Sequence, residues 1–343
     1  MRRYLHFITK PYSLSVIQAL VEEIERGHRG DSLIFLPPLL EQYIRNDIRY
    51  TTSIEEAGSF DPDVVFVPGN VVHDKIPGLK VQVFHGICEE KGGHYKITGF
   101  FDLYCTSGPL ITRNFKKLAE KHGYFHVIET GWPKVDLLMN PYNRAEILMK
   151  LGVRPENRII LYAPTFSPKY KSSDKIFPAL QSMIKHDETW IIKFHDLMDK
   201  KEMLRFKKLD NVMIWDDPDN IPLLQAADVL ISDTSSIVYE FMLLDKPVIT
   251  IDARVRLEKG INIHDVEDLR TAIDRSVSNP EEYSLSRKKL LQEIQPYADQ
   301  ANAKRVLEAA ETMLTSDIST KLSKKPWNLY RRYQVRKLFN NWW

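Results

Sequence analysis

The sequence predicts an α/β protein of two doubly wound, Rossmann-like domains facing each other across a cleft. Three observations carry that expectation. Short runs of branched and aromatic residues alternate with segments of helical apolar spacing. The alternation breaks at a proline-bounded segment, residues 140–157 with Pro141 and Pro155, and then resumes. At 343 residues and 43% apolar content the chain also exceeds what one compact core accommodates.

In the first half the candidate strands are residues 4–8, 33–36, 64–67, 81–84 and 125–128. Between the first two, Leu14, Ile17, Leu20, Val21 and Ile24 recur at the spacing of one helix face, which predicts a helix over 13–26. In the second half the strands are 159–162, 190–194, 212–214, 229–231 and 248–251. The expected domains are residues 1–140 and 141–320, followed by a tail, 321–343.

Charged residues make up 27% of the chain and the net charge is only +2, so composition points away from disorder and from a general nucleic-acid binder. Only Cys88 and Cys105 occur, which argues against a disulfide framework and for a reducing compartment. The first ten residues lack an apolar run long enough for a signal peptide, and no segment approaches the roughly 20 apolar residues of a membrane span. The expected location is cytoplasmic.

Ile231-Ser232-Asp233-Thr234-Ser235-Ser236 reads as a strand entering a hydroxyl-rich turn that starts a helix, closed by Leu244-Asp245-Lys246-Pro247. Free N–H groups and the dipole at a helix start favour phosphate, and Ser and Thr hydroxyls add donors. The same hydroxyls are also ordinary helix caps. Glu240 falls on the first turns of that helix, where it is either a ribose acceptor or a surface charge. His85-Gly86 follows one predicted strand and His195 another, each at a carboxyl end where a general base would face the cleft. Two further strand-end loops hold Gly131, Lys134 and Asp136, and Thr165; they are ligand loops or proline-stiffened turns. There is no Walker loop, GxGxxG, HExxH or CxxC, and the ten histidines show no metal-ligand spacing, so neither a metal nor a cofactor is expected.

Together, His85-Gly86, the run Gly131 to Asp136, Ile160 to Thr165, Lys193-Phe194-His195 and Ile231 to Pro247 resemble the CDP-glycerol glycerophosphotransferase family of teichoic acid synthesis. The resemblance implies a glycosyltransferase-B fold and transfer of glycerol phosphate, or a similar polyol phosphate, from a CDP-activated donor to a glycan or lipid-linked hydroxyl, with CMP released. It further implies that His85 is the base on the acceptor side, near Gly86, Gly131, Lys134 and Asp136. His195, Thr165, Asp233, Thr234, Ser235, Ser236 and Glu240 would serve the donor. The chain departs from the family pattern after His85, where Glu89 and Glu90 disfavour an anionic acceptor nearby, after His195, where Asp196 stands in place of Pro, and at Thr234. Two other readings share these features: a UDP-sugar glycosyltransferase or epimerase, and a non-catalytic nucleotide-binding scaffold.

The tail is basic and aromatic, with Lys321, Lys324, Lys325, Arg331, Arg332, Arg336 and Lys337 interleaved with Trp327, Tyr330, Tyr333, Phe339, Trp342 and Trp343. That composition suits an anionic membrane surface, which would make the protein peripheral at the inner face of the plasma membrane, or else a terminal helix packed across the two domains.

Overall fold

The computed structural model describes residues 1–45, 47–88 and 92–340. Glu89, Glu90 and Lys91, and Trp342 and Trp343 of the tail, lie outside the described residues. The chain forms two compact units, Met1–Asn140 with Glu293–Trp343, and Pro141–Gln292.

The first unit contains a seven-stranded parallel sheet of β1 (Arg2–Phe7), β2 (Gly30–Phe35), β3 (Tyr50–Thr51), β4 (Val64–Val67), β5 (Leu79–Gln82), β6 (Leu103–Thr106) and β7 (His126–Glu129), in the order β3-β2-β1-β4-β5-β6-β7. The order reverses between β1 and β4, which is the switch point where ligands of such sheets bind. Every residue of β4 and β6 is buried, as strands covered by helices on both faces must be.

The second unit repeats the plan with β8 (Arg158–Ala163), β9 (Glu188–Ile192), β10 (Val212–Ile214), β11 (Val229–Ser232), β12 (Val248–Ile251) and β13 (Ile261–Ile263), ordered β10-β9-β8-β11-β12-β13. Here the switch point lies between β8 and β11. The predicted fold class, two doubly wound parallel α/β units, is therefore what the chain adopts. Three strands, β3, β6 and β13, were not among the sequence-based expectations. They have two, four and three residues.

The expected second domain ran to residue 320, and the structure corrects this. Beyond residue 292 the chain returns to the first unit, where the helix Asn302–Thr315 buries Val306, Leu307 and Ala310. The link is specific. Asp136 accepts hydrogen bonds from the N–H groups of Asn302 (3.0 Å) and Ala303 (2.7 Å), so a residue of the first stretch caps this later helix.

The tail helix Leu329–Asn340 belongs to the first unit. Phe339 is 1% exposed, and its ring centroid lies 5.3 Å from that of Phe7 and 5.7 Å from that of Phe35. Arg336 pairs with Asp74 at 2.7 Å and Lys325 with Asp102 at 2.6 Å. Among the described residues no helix is long and apolar enough to cross a membrane.

Candidate functional site

In the second unit the switch point is organised by Asp233, which follows β11 and is fully buried. Its carboxyl accepts hydrogen bonds from the N–H of Thr165 (2.9 Å), the N–H and hydroxyl of Ser172 (both 3.1 Å) and the N–H of Thr234 (2.7 Å). Burial pushes this carboxyl above its ordinary range, and the donors pull it back. Asp233 thus pins both ends of the loop after β8, residues 165 and 172, to the turn after β11. Its observed work is to shape the two loops.

The hydroxyl-rich turn does not serve as a side-chain cap for the helix that follows. The helix Ile237–Met242 begins after Ser236, yet Ser236 makes no side-chain cap. Ser235 and Ser236 are half-buried. The hydroxyl of Thr234 is buried without a hydrogen-bond partner among the described residues. A short helix at the switch point therefore starts with three hydroxyl residues, none of which caps it. Glu240 is 6% exposed, which removes the surface-charge reading, and Asn220 donates to it at 3.4 Å. The closure of this helix is equally defined: Asp245 adopts φ +53°, with the guanidinium of fully buried Arg287 bound to its carboxylate (2.9 Å) and its carbonyl (2.8 Å).

His195 lies three residues beyond β9, half-buried, with its ring 4.4 Å from that of Phe166. Its Nδ1 accepts the N–H of Leu197 at 3.1 Å. A neutral imidazole that accepts at Nδ1 carries its proton on Nε2, so this ring offers a donor. Such a histidine suits a phosphate oxygen better than a proton to be abstracted.

In the first unit His85 stands three residues past β5 and is exposed, with the rings of Tyr12 at 5.3 Å and His94 at 5.5 Å. Phe84, immediately before it, has φ +56°. Gly86 is buried. Gly131 is needed as glycine, because its φ is +79° and a Cβ there would collide with Asn302 Oδ1. Lys134 is 4% exposed, with Nζ 5.6 Å over the ring of Trp132. Gly131 and Asp136 join the stretch after β7 to the helix at 302. Among the described residues no cluster of His, Cys, Asp and Glu is arranged to hold a metal ion.

Sequence reasoning missed Tyr12, His94, Ser172 and Asn220. Tyr12 carried a signal, since it follows β1 at the switch point of the first sheet. Ser172 and Asn220 carried none, because they act through partners 61 and 20 residues away.

Two doubly wound units, with a hydroxyl-rich turn at the switch point of the second, define a protein of the glycosyltransferase-B type. The description of CDP-Glycerol:Poly(glycerophosphate) glycerophosphotransferases matches residues 35–255, and the chain belongs to that family. It is 36% identical over 114 residues to the teichoic acid glycerol-phosphate primase of Bacillus spizizenii, covering 31% of this chain and 28% of that protein. It is 30% identical over 134 residues to the teichoic acid poly(glycerol phosphate) polymerase of the same organism, covering 36% of this chain and 34% of that one. The matched segments thus span about a third of these relatives' length. Among solved structures, the wall teichoic acid polymerase TagF superposes with a TM-score of 0.70 at 13% identity, covering 92% of this chain and 90% of that chain. A UDP-N-acetylglucosamine 2-epimerase from Listeria monocytogenes, described as putative, gives 0.63 at 17% identity, over 91% and 96%.

Proposed function

We propose that this protein transfers glycerol phosphate, or a similar polyol phosphate, from a CDP-activated donor to a hydroxyl of a glycan or lipid-linked acceptor. The observation that carries the reading is the family match over residues 35–255, a span that includes His85, His195 and the turn at Asp233–Ser236. A variant of TagF, similar in fold, has been soaked with CDPG. Other relatives are named for poly(ribitol phosphate), which is why the polyol is left open.

In the proposed step the acceptor oxygen attacks the phosphorus that bears the polyol. A new P–O bond forms, the bond to the bridging oxygen breaks, and CMP leaves with that oxygen. His85 takes the proton of the acceptor hydroxyl. The Nε2–H of His195, together with the hydroxyls of Ser235, Ser236 and Thr234, stabilises charge on the departing phosphate. Alignment and charge stabilisation carry such phosphoryl transfers, with little covalent help from protein.

The deciding experiment offers CDP-glycerol, CDP-ribitol and UDP-N-acetylglucosamine to the protein with a membrane-derived acceptor and follows nucleotide release. Release of CMP that requires acceptor supports the proposal. Release of UDP alone would transfer the protein to the sugar-nucleotide reading, and no turnover with any donor would leave only a scaffold role.

We further propose that the tail attaches the protein to the inner face of the plasma membrane. With Val335 and Phe339 turned inward, Trp327, Leu329, Tyr330 and Tyr333 remain 63–80% exposed beside Lys324 and Lys337. Replacing Trp327, Tyr330 and Tyr333 by serine should release the protein from phosphatidylglycerol vesicles. Unchanged co-sedimentation would reject the attachment.

A further inference from the structure

Phe84 is the point at which the chain leaves β5 toward His85, and it does so at φ +56°. For a bulky aromatic residue this left-handed backbone is rare, and it persists only where neighbours hold it. Phe84 is held from two sides. Its side chain is buried against Phe115, with ring centroids 5.2 Å apart. Its carbonyl accepts the indole N–H of Trp132 at 3.1 Å.

Trp132 is itself fixed. It is 2% exposed, and its backbone N–H donates to Gln295 Oε1 at 3.0 Å. Gln295, 1% exposed, donates in turn to the Tyr297 carbonyl at 2.8 Å and to Asn302 Oδ1 at 3.1 Å. A chain of buried hydrogen bonds therefore runs from the helix at 302 to the peptide preceding His85. Core packing alone asks only for an indole-sized ring at position 132, whereas the bond to the Phe84 carbonyl needs its N–H.

We infer that Trp132 is a positioning residue for His85: by holding the Phe84 carbonyl, its indole N–H sets the left-handed exit and thereby the place of the imidazole. This rests on the reading of His85 as proton acceptor. Trp132 touches no reacting atom; it acts through the peptide before the base.

The test removes the N–H and keeps the ring. Trp132→Phe is the simple variant. Site-specific incorporation of 3-benzothienylalanine at 132, which replaces N–H by sulfur at nearly equal volume, decides the matter if Trp132→Phe does not fold. Two readouts are taken, CMP release from CDP-glycerol with a membrane-derived acceptor, and the His85 imidazole resonances with ring-labelled histidine. The expected result is a kcat lowered between about tenfold and a hundredfold, a donor KM changed by less than about twofold, and shifted His85 resonances. His85 resonances that stay in place in the benzothienyl variant would overturn the inference. If the wild type releases no CMP from any donor, the proposed function fails by itself, and the resonance comparison still decides whether Trp132 positions His85.

Discussion

Asp233→Ala tests whether this carboxyl shapes the site or touches the donor. The substitution strips the acceptor from three backbone N–H groups, those of Thr165, Ser172 and Thr234. The Ser172 hydroxyl keeps a partner in the hydroxyl of Tyr162, 2.9 Å away. A buried donor left without acceptor costs about 1–3 kcal/mol. Because the vacated site lies beside the half-buried turn at Thr234 to Ser236, the expected loss is near the low end for three groups, about 3–5 kcal/mol. Native-state hydrogen exchange at the β8 amides, Arg158–Ala163, reads this loss within the second unit alone. Asp233→Asn, which keeps one acceptor oxygen, should lose less. Donor binding should fall in proportion to the loosening of the loops. Unchanged β8 protection together with abolished donor binding would refute the reasoning and restore Asp233 as a direct ligand contact.

Three further outcomes follow from the geometry. Burial lowers the pKa of His6 from 6.5 to about 3, so the fold holds the neutral ring; its contribution is fully present above pH 6.5 and is lost as pH falls toward 3, about 4–5 kcal/mol in all. His6→Phe should therefore flatten the acid side of the urea-stability profile, and a profile parallel to wild type would reject this. Gly131→Ala forces a Cβ onto Asn302 Oδ1 at a left-handed φ; a loss of at least about 2 kcal/mol is expected by urea titration, and a smaller one would mean that the loop yields. Phe339→Ala empties a site lined by Phe7, Phe35 and His73 and should lower stability by about 3–5 kcal/mol, with the tail becoming protease-sensitive; an unchanged digestion pattern would count against the docked helix.

The sheets were legible because parallel strands buried on both faces read as nearly continuous apolar runs, as Val64 to Val67 does and Val248 to Ile251 does but for Thr250. The return of the chain to the first unit was not, because it depends on Asp136 meeting a backbone 166 residues later. In the site, His85, His195 and the turn at Asp233 were visible as strand-end chemistry. Their hydrogen-bond partners were not. That His195 carries its proton on Nε2, that Asp233 pins two loops, and that Ser236 does not cap its helix are facts of hydrogen bonding, which residue type alone leaves open.

The return of residues 293–343 to the first unit also bears on how the protein is made. The second unit is one uninterrupted stretch, Pro141–Gln292, and all six of its strands emerge from the ribosome consecutively. The first unit begins synthesis earliest, yet Asp136 waits for residues 302 and 303, and Phe7 and Phe35 wait for Phe339. The half that carries His85 is therefore the last to close, so a chain halted before its final helices would hold a finished second unit and a first unit with an open core.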